Sequence, residues 1–125
     1  MNTRAIFLTA TFTVLLVAPS VSSARTVPGF VDGNLLYEKC SATGENLNYF
    51  IKDSYCRAFI LGAWDAAQIE NSANGSTNCL PENVTVGQLQ DIVTKYLREN
   101  PEKRAKQAAS LVIAAVESAF PNCAD

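Results

Sequence analysis

The chain contains no histidine. That removes the commonest general base and the commonest metal ligand. Cysteine is sparse: Cys40, Cys56, Cys79 and Cys123 are the whole set, spaced by 16, 23 and 44 residues, with no C-x-x-C pair. A zinc site would need all four thiolates, and an even number in a small exported chain reads instead as two disulfides, which leaves no thiolate nucleophile. There is no glycine-rich phosphate loop and no G-x-S-x-G. Asp65 and Glu70, beside Trp64, are the nearest approach to paired carboxylates. Five residues along a helix is a rotation of about 140°, so the two do not share a face. The expectation is a protein that is not an enzyme and has no metal and no cofactor. Ten Lys and Arg against twelve Asp and Glu leave a net charge of −2. No basic field exists to hold a phosphate backbone, which excludes nucleic acid. Period-2 alternation of useful length is missing too, and with it the signature of a sheet.

Long apolar runs are also missing, except at the start. "MNTR" supplies one positive charge, and residues 5–18, AIFLTATFTVLLVA, carry none. Pro19 follows, and Ser22 and Ala24 place small residues at the −3 and −1 positions of a signal-peptidase site. The run is short for a spanning helix, which needs about 20 residues. Residues 1–24 are therefore expected to be a signal peptide removed after Ala24, leaving 101 residues, 25–125, with a charge of −3 and no membrane segment. That suffices for one compact domain. Export and paired cysteines together place it in an oxidising compartment, a bacterial periplasm or the cell exterior.

Within the mature chain, residues 25–33 form a turn-rich lead-in, and the domain proper is expected over 34–125. Gly33 or Asn34 is the expected cap of a short helix over 35–40, ended by SATGEN. Residues 47–73 carry apolar side chains at helical spacing: Tyr55, Phe59, Gly62, Ala63 and Ala66, with Cys56, Ile60 and Ala67 beside them. One wide buried stripe is the expectation. Gly62 lowers helix propensity by about 1 kcal/mol relative to alanine, for which a close helix–helix approach would account. Asp65 follows Trp64 and is expected to form a salt bridge or to face a groove. Residues 71–83, NSANGSTNCLPEN, are loop by composition.

Thr85 with Gln88 is a capping box, and Val86, Leu89, Ile92, Val93, Tyr96 and Leu97 share one face of the helix it opens. Asn100, Pro101 and Glu102 then read as the cap and first turn of a last helix running to about Phe120. Its inner stripe is Ala105, Ala108, Ala109, Val112, Ala115, Val116 and Ala119. The fold class is all-α: a small disulfide-bonded helical bundle of three long helices plus a short N-terminal one. Four cysteines allow three connectivities. The positions of the helix ends favour Cys40–Cys56, stapling the first hairpin, and Cys79–Cys123, tying the loop to the C-terminus. The sequons at 74–76 and 83–85 are frequent chance matches, and Thr85 already has a capping role.

The run CRAFILGAWDA (56–66), followed by CLPENVTVGQLQDIVTKYLRENPEKRAKQAASLVIAAVESAFPNC (79–123), resembles the Rap/Tai family of type VI secretion immunity proteins. The likeness lies in the order of cysteines, Cys-x-Pro, Val-Thr, Gln-Leu, Tyr-Leu, Asn-Pro-Glu and Phe-Pro before a last cysteine. Ala58-Phe59 stands where the pattern has Gly-Tyr, and Asn122 separates Pro121 from Cys123. The resemblance implies a periplasmic protein that binds and occludes a peptidoglycan amidase effector, with homodimers among its relatives. The motif consists of core, caps and cysteines, so it specifies a fold and leaves the binding surface open. The loop 69–83 is the candidate for that surface, with Glu70, Asn71, Asn74 and Glu82 beside Asp65. The alternative is a periplasmic binding module on the same scaffold, an apolar-ligand carrier or chaperone, which would enclose an apolar cavity of a few hundred Å3.

Overall fold

The computed structural model describes residues 29–73, 75 and 79–123. The expected signal peptide and Asn74 lie outside them. Four α-helices account for most of these residues: α1 (Gly33–Cys40), α2 (Leu47–Ala73), α3 (Val86–Glu99) and α4 (Ala108–Ala119), with single 3-10 turns at Pro101–Lys103 and Pro121–Cys123. Among the described residues the only β-type pairing is an isolated bridge between Asp32 and Gln107. The fold is an all-α bundle.

The core forms where four apolar stripes meet. Helix α2 contributes Cys56, Ile60 and Trp64, and α3 contributes Leu89, Val93 and Leu97, each set at a spacing of four. Leu36 enters from α1, and Leu111, Val112, Ala115 and Val116 from α4. Helix α4 packs against both α2 and α3, and α1 lies across α2 and α3. A bond network ties α2 to α3: Asp53 accepts from Arg57 Nε and from Gln90 Nε2, both at 2.8 Å.

Both favoured disulfides are present, Cys40–Cys56 with Cα atoms 5.0 Å apart and Cys79–Cys123 with 5.1 Å. They use all four thiols, which disposes of the zinc alternative. The capping box is also formed: Gln88 N donates to Thr85 Oγ1 at 3.3 Å, and Thr85 N donates to Gln88 Oε1 at 2.8 Å. Replacing Thr85 by alanine should therefore lower stability by about 1 kcal/mol and the melting midpoint by about 5 °C. A thermal melt followed by circular dichroism checks this.

Three expectations are corrected. Helix α1 is capped by Asp32, whose Oδ1 accepts from Leu35 N at 2.8 Å, and not by Gly33 or Asn34. Those two residues are engaged elsewhere, their backbone N–H groups donating to Lys106 O (3.0 Å) and Arg104 O (3.1 Å). The last helix does not start at Asn100. Asn100 closes α3 instead, its side chain and backbone N–H both donating to Tyr96 O. Pro101–Lys103 makes one 3-10 turn, and α4 begins only at Ala108, whose N–H donates to Val31 O at 2.9 Å. The segment before α1 thus wedges between α3 and α4. Arg104 holds the turn, donating to Leu97 O and Arg98 O while its guanidinium lies 3.7 Å from the centre of the Tyr37 ring. In consequence Ala105 is exposed, as is Ala119, while Leu111 takes a place in the inner stripe.

The third correction concerns α2. Its buried stripe is narrow, and Tyr55, Gly62 and Ala66 are exposed. A Cβ built on Gly62 meets nothing within 4 Å. The close approach occurs at Gly33, where a Cβ would run into Leu111 Cδ1 and stand 2.8 Å from Arg104 Cα.

Candidate partner-binding surface

The outer face of α2 is left uncovered among the described residues. Opposite the buried line of Cys56, Ile60 and Trp64 runs a second line: Leu47, Ile51, Tyr55, Ala58, Gly62, Ala66 and Ile69, all exposed. Leu47 is 75% exposed, Ile51 60% and Ile69 73%, so these side chains are presented to solvent rather than half covered. A 27-residue helix is about 40 Å long. A stripe of that length and one helix wide is on the order of 400 Å2, within the roughly 300–600 Å2 of the largest apolar patch on a typical monomer, which is often functional. A helix apolar on opposite faces has no single hydrophobic direction, and its sequence pattern merges into one broad band.

Asp65 is the one charged residue on this stripe. Among the described residues it has no ion pair, so the expected salt bridge is not found. Its side chain instead lines an open groove of about 550 Å3 with Gln68, Ile69 and Ser72. The Gln68 amide nitrogen is buried in the wall and has no hydrogen-bond partner among the described residues. Gln68 escaped the sequence reading, although a glutamine inside a strongly apolar helix was a signal, and Ile69, expected to open the loop 69–83, lies on α2 instead. Glu70 and Asn71 are exposed on the last turns of α2, which stays helical to Ala73, and not in the loop. Glu82 is exposed beyond Cys79, in a turn that Val84 N closes onto Pro81 O at 3.1 Å. Leu80 and Val84 pack against the core on either side of it.

The charges here have one sign. Residues 58–94 contain Asp65, Glu70, Glu82 and Asp91 and no lysine or arginine. At the other end of α2, Glu38 is held below its ordinary value by bonds from Lys52 and Lys39. Glu38 is exposed and the two lysines are partly so, and such surface pairs contribute little to stability.

Two further grooves are smaller. One of about 210 Å3 lies between α3 and α4 at Ile92, Tyr96 and Ala115, and one of about 310 Å3 beside Phe30, Phe59 and Ala109. All three open to solvent, whereas a carrier would call for an enclosed apolar cavity. Among the described residues no helix is long and apolar enough to cross a membrane.

The scaffold is all-α and doubly bridged, and among the described residues it leaves one apolar face of α2 uncovered. Its family is shown: residues 32–123 match the family model of the Rap1a immunity proteins, and the chain belongs to that family. It is an immunity family of type VI secretion, whose members answer an effector protein. No curated protein and no solved structure matches the chain.

Proposed function

We propose that the mature protein, residues 25–125, resides in the periplasm and binds and occludes a peptidoglycan amidase effector, acting by contact and not by catalysis. The observation that carries this reading is the acidic, cation-free end of α2 with the turn beyond it, anchored to the C-terminus by Cys79–Cys123. A bridge-anchored segment has lost part of its ordering entropy before it meets a partner, which favours insertion into an enzyme cleft. Glu70, Asn71 and Glu82 are the proposed contacts on the described residues, and Asn74 joins them from the sequence. The homodimer implied by the family resemblance belongs to the same reading.

The experiment is titration of the mature, oxidised protein with an amidase encoded beside its gene. Replacing Glu70 and Glu82 together by alanine should weaken the complex about tenfold or more, in the range of interface hot spots. Raising the salt concentration should slow association, because an acidic surface steers its partner electrostatically. If no cell-wall hydrolase adjoins the gene and none is recovered on the protein from a periplasmic extract, the amidase assignment fails. Unchanged affinity in the double variant would remove the loop assignment alone.

A further inference from the structure

We infer that this chain is a substrate for a thiol oxidase and not for a disulfide isomerase: Cys40–Cys56 closes first, and Cys79–Cys123 is then the one pairing left. This rests on the export in the proposed reading but on no effector. Each bridge joins cysteines that are neighbours in sequence, 40 with 56 and 79 with 123, so neither loop encloses or crosses the other. Of the three connectivities open to four cysteines, this alone is reached by closing each bridge as its second cysteine emerges from an export channel, amino end first.

The outcome turns on one competition, whether Cys56 pairs with Cys40 or with Cys79. The separations are 16 and 23 residues, and loop-closure entropy favours the shorter by less than about twofold. Loop length therefore does not decide. Order does more: Cys40 is already outside when Cys56 emerges, and Cys79 is not.

Helix geometry acts in the same direction. From Cys56 to Ala73, α2 continues for about 25 Å, while the chain from Ala73 to Cys79 spans about 21 Å at full extension. Cys79 could approach Cys56 only by running straight back along the helix. The contacts that bring Cys40 and Cys56 together are, by contrast, complete by residue 56. Ser41 closes α1, its N–H (2.9 Å) and hydroxyl (2.6 Å) both donating to Tyr37 O. Asn46 opens α2, its Oδ1 accepting from Tyr49 N at 3.0 Å. Lys52 Nζ meets Glu38 Oε1 at 3.1 Å and joins the two helices beside the bridge.

In each closure one cysteine thiolate attacks the disulfide of the oxidase, and the second thiolate then displaces the oxidase sulfur. The chain loses two electrons and two protons, and the oxidase leaves as a dithiol. An isomerase finds no wrong bridge to open.

The test produces the full chain in Gram-negative cells lacking either the isomerase or the oxidase, alkylates free thiols with N-ethylmaleimide, and maps the bridges by mass spectrometry of unreduced digests. Without the isomerase, the yield of natively bridged protein should equal that of the parent cells. Without the oxidase it should fall about tenfold or more. Shortly after a pulse of synthesis, a one-bridge species should carry Cys40–Cys56, with Cys79 and Cys123 alkylated. A lower native yield without the isomerase, a Cys56–Cys79 peptide, or Cys79–Cys123 as the first bridge overturns the proposal. A chain that keeps residues 1–24 and stays unbridged in every strain places the failure in the export reading. Oxidation of purified, reduced 25–125 with oxidised glutathione then decides: among one-bridge species Cys40–Cys56 should exceed Cys56–Cys79 at least about fivefold, well above the effect of loop length alone, and equal amounts overturn the proposal.

Discussion

Replacing Cys79 and Cys123 together by alanine should lower the stability of the domain by about 4 kcal/mol and its melting midpoint by about 20 °C. The bridge closes a loop of 44 residues, the longer of the two. In the chain-entropy account the denatured chain regains the freedom that this closure removed. The same change at Cys40 and Cys56, where the separation is 16, should cost about 3 kcal/mol, since the dependence on loop length is logarithmic. Either loss is a large share of the stability of a domain this size. Thermal melts of the two double variants, compared with wild type and with each other, check both the size and the order.

The competing influence is the packing of Leu80 and Val84, which hold the turn beyond Cys79 against the core without help from sulfur. Should the Cys79/Cys123 variant lose less than about 1 kcal/mol, those contacts and not the bridge fix the segment. On the reading proposed for the effector, the variant also binds more weakly, since the turn carrying Glu82 must then be ordered on binding.

Much of this architecture is legible in the residues because it is set locally. Thr85 and Gln88 announce a helix start through groups three positions apart, and the Leu89–Val93–Leu97 line follows from helical spacing alone. The bridge pairing followed from where the helices end. What failed to show was decided by distant contacts. Asn100-Pro101-Glu102 has every local mark of a helix start, yet Val31, Gly33 and Asn34 arrive from the other end of the domain and take Ala108 N, Lys106 O and Arg104 O. Those three bonds hold residues 104–107 outside the helix.

The candidate binding surface was legible only in part. Glu70, Asn71 and Glu82 are exposed as their composition suggests, but the second apolar face of α2 was merged with the first. Spacing shows that a residue is apolar and on a helix. It does not show how many faces of that helix the rest of the chain can cover, and here α1, α3 and α4 cover only one.

Gly33→Ala and Gly62→Ala should move stability in opposite directions. At Gly33 the added methyl group would clash with Leu111 Cδ1 and stand 2.8 Å from Arg104 Cα and 2.9 Å from Arg104 O. A leucine methyl can rotate away. The Arg104 backbone cannot, because its carbonyl accepts from Asn34 N and its side chain is bonded to Leu97 O and Arg98 O. Relief therefore requires α1 to lift off α4, at a cost of about 3 kcal/mol. At Gly62 the methyl group meets nothing within 4 Å, and the helix gains about 1 kcal/mol of propensity. Denaturant melts at dilutions where each chain is single exclude any contact between copies from the comparison. If Gly33→Ala proved neutral, the docking of residues 31–34 onto 104–108 would be looser than these distances require, and the interruption between α3 and α4 would lose its physical cause.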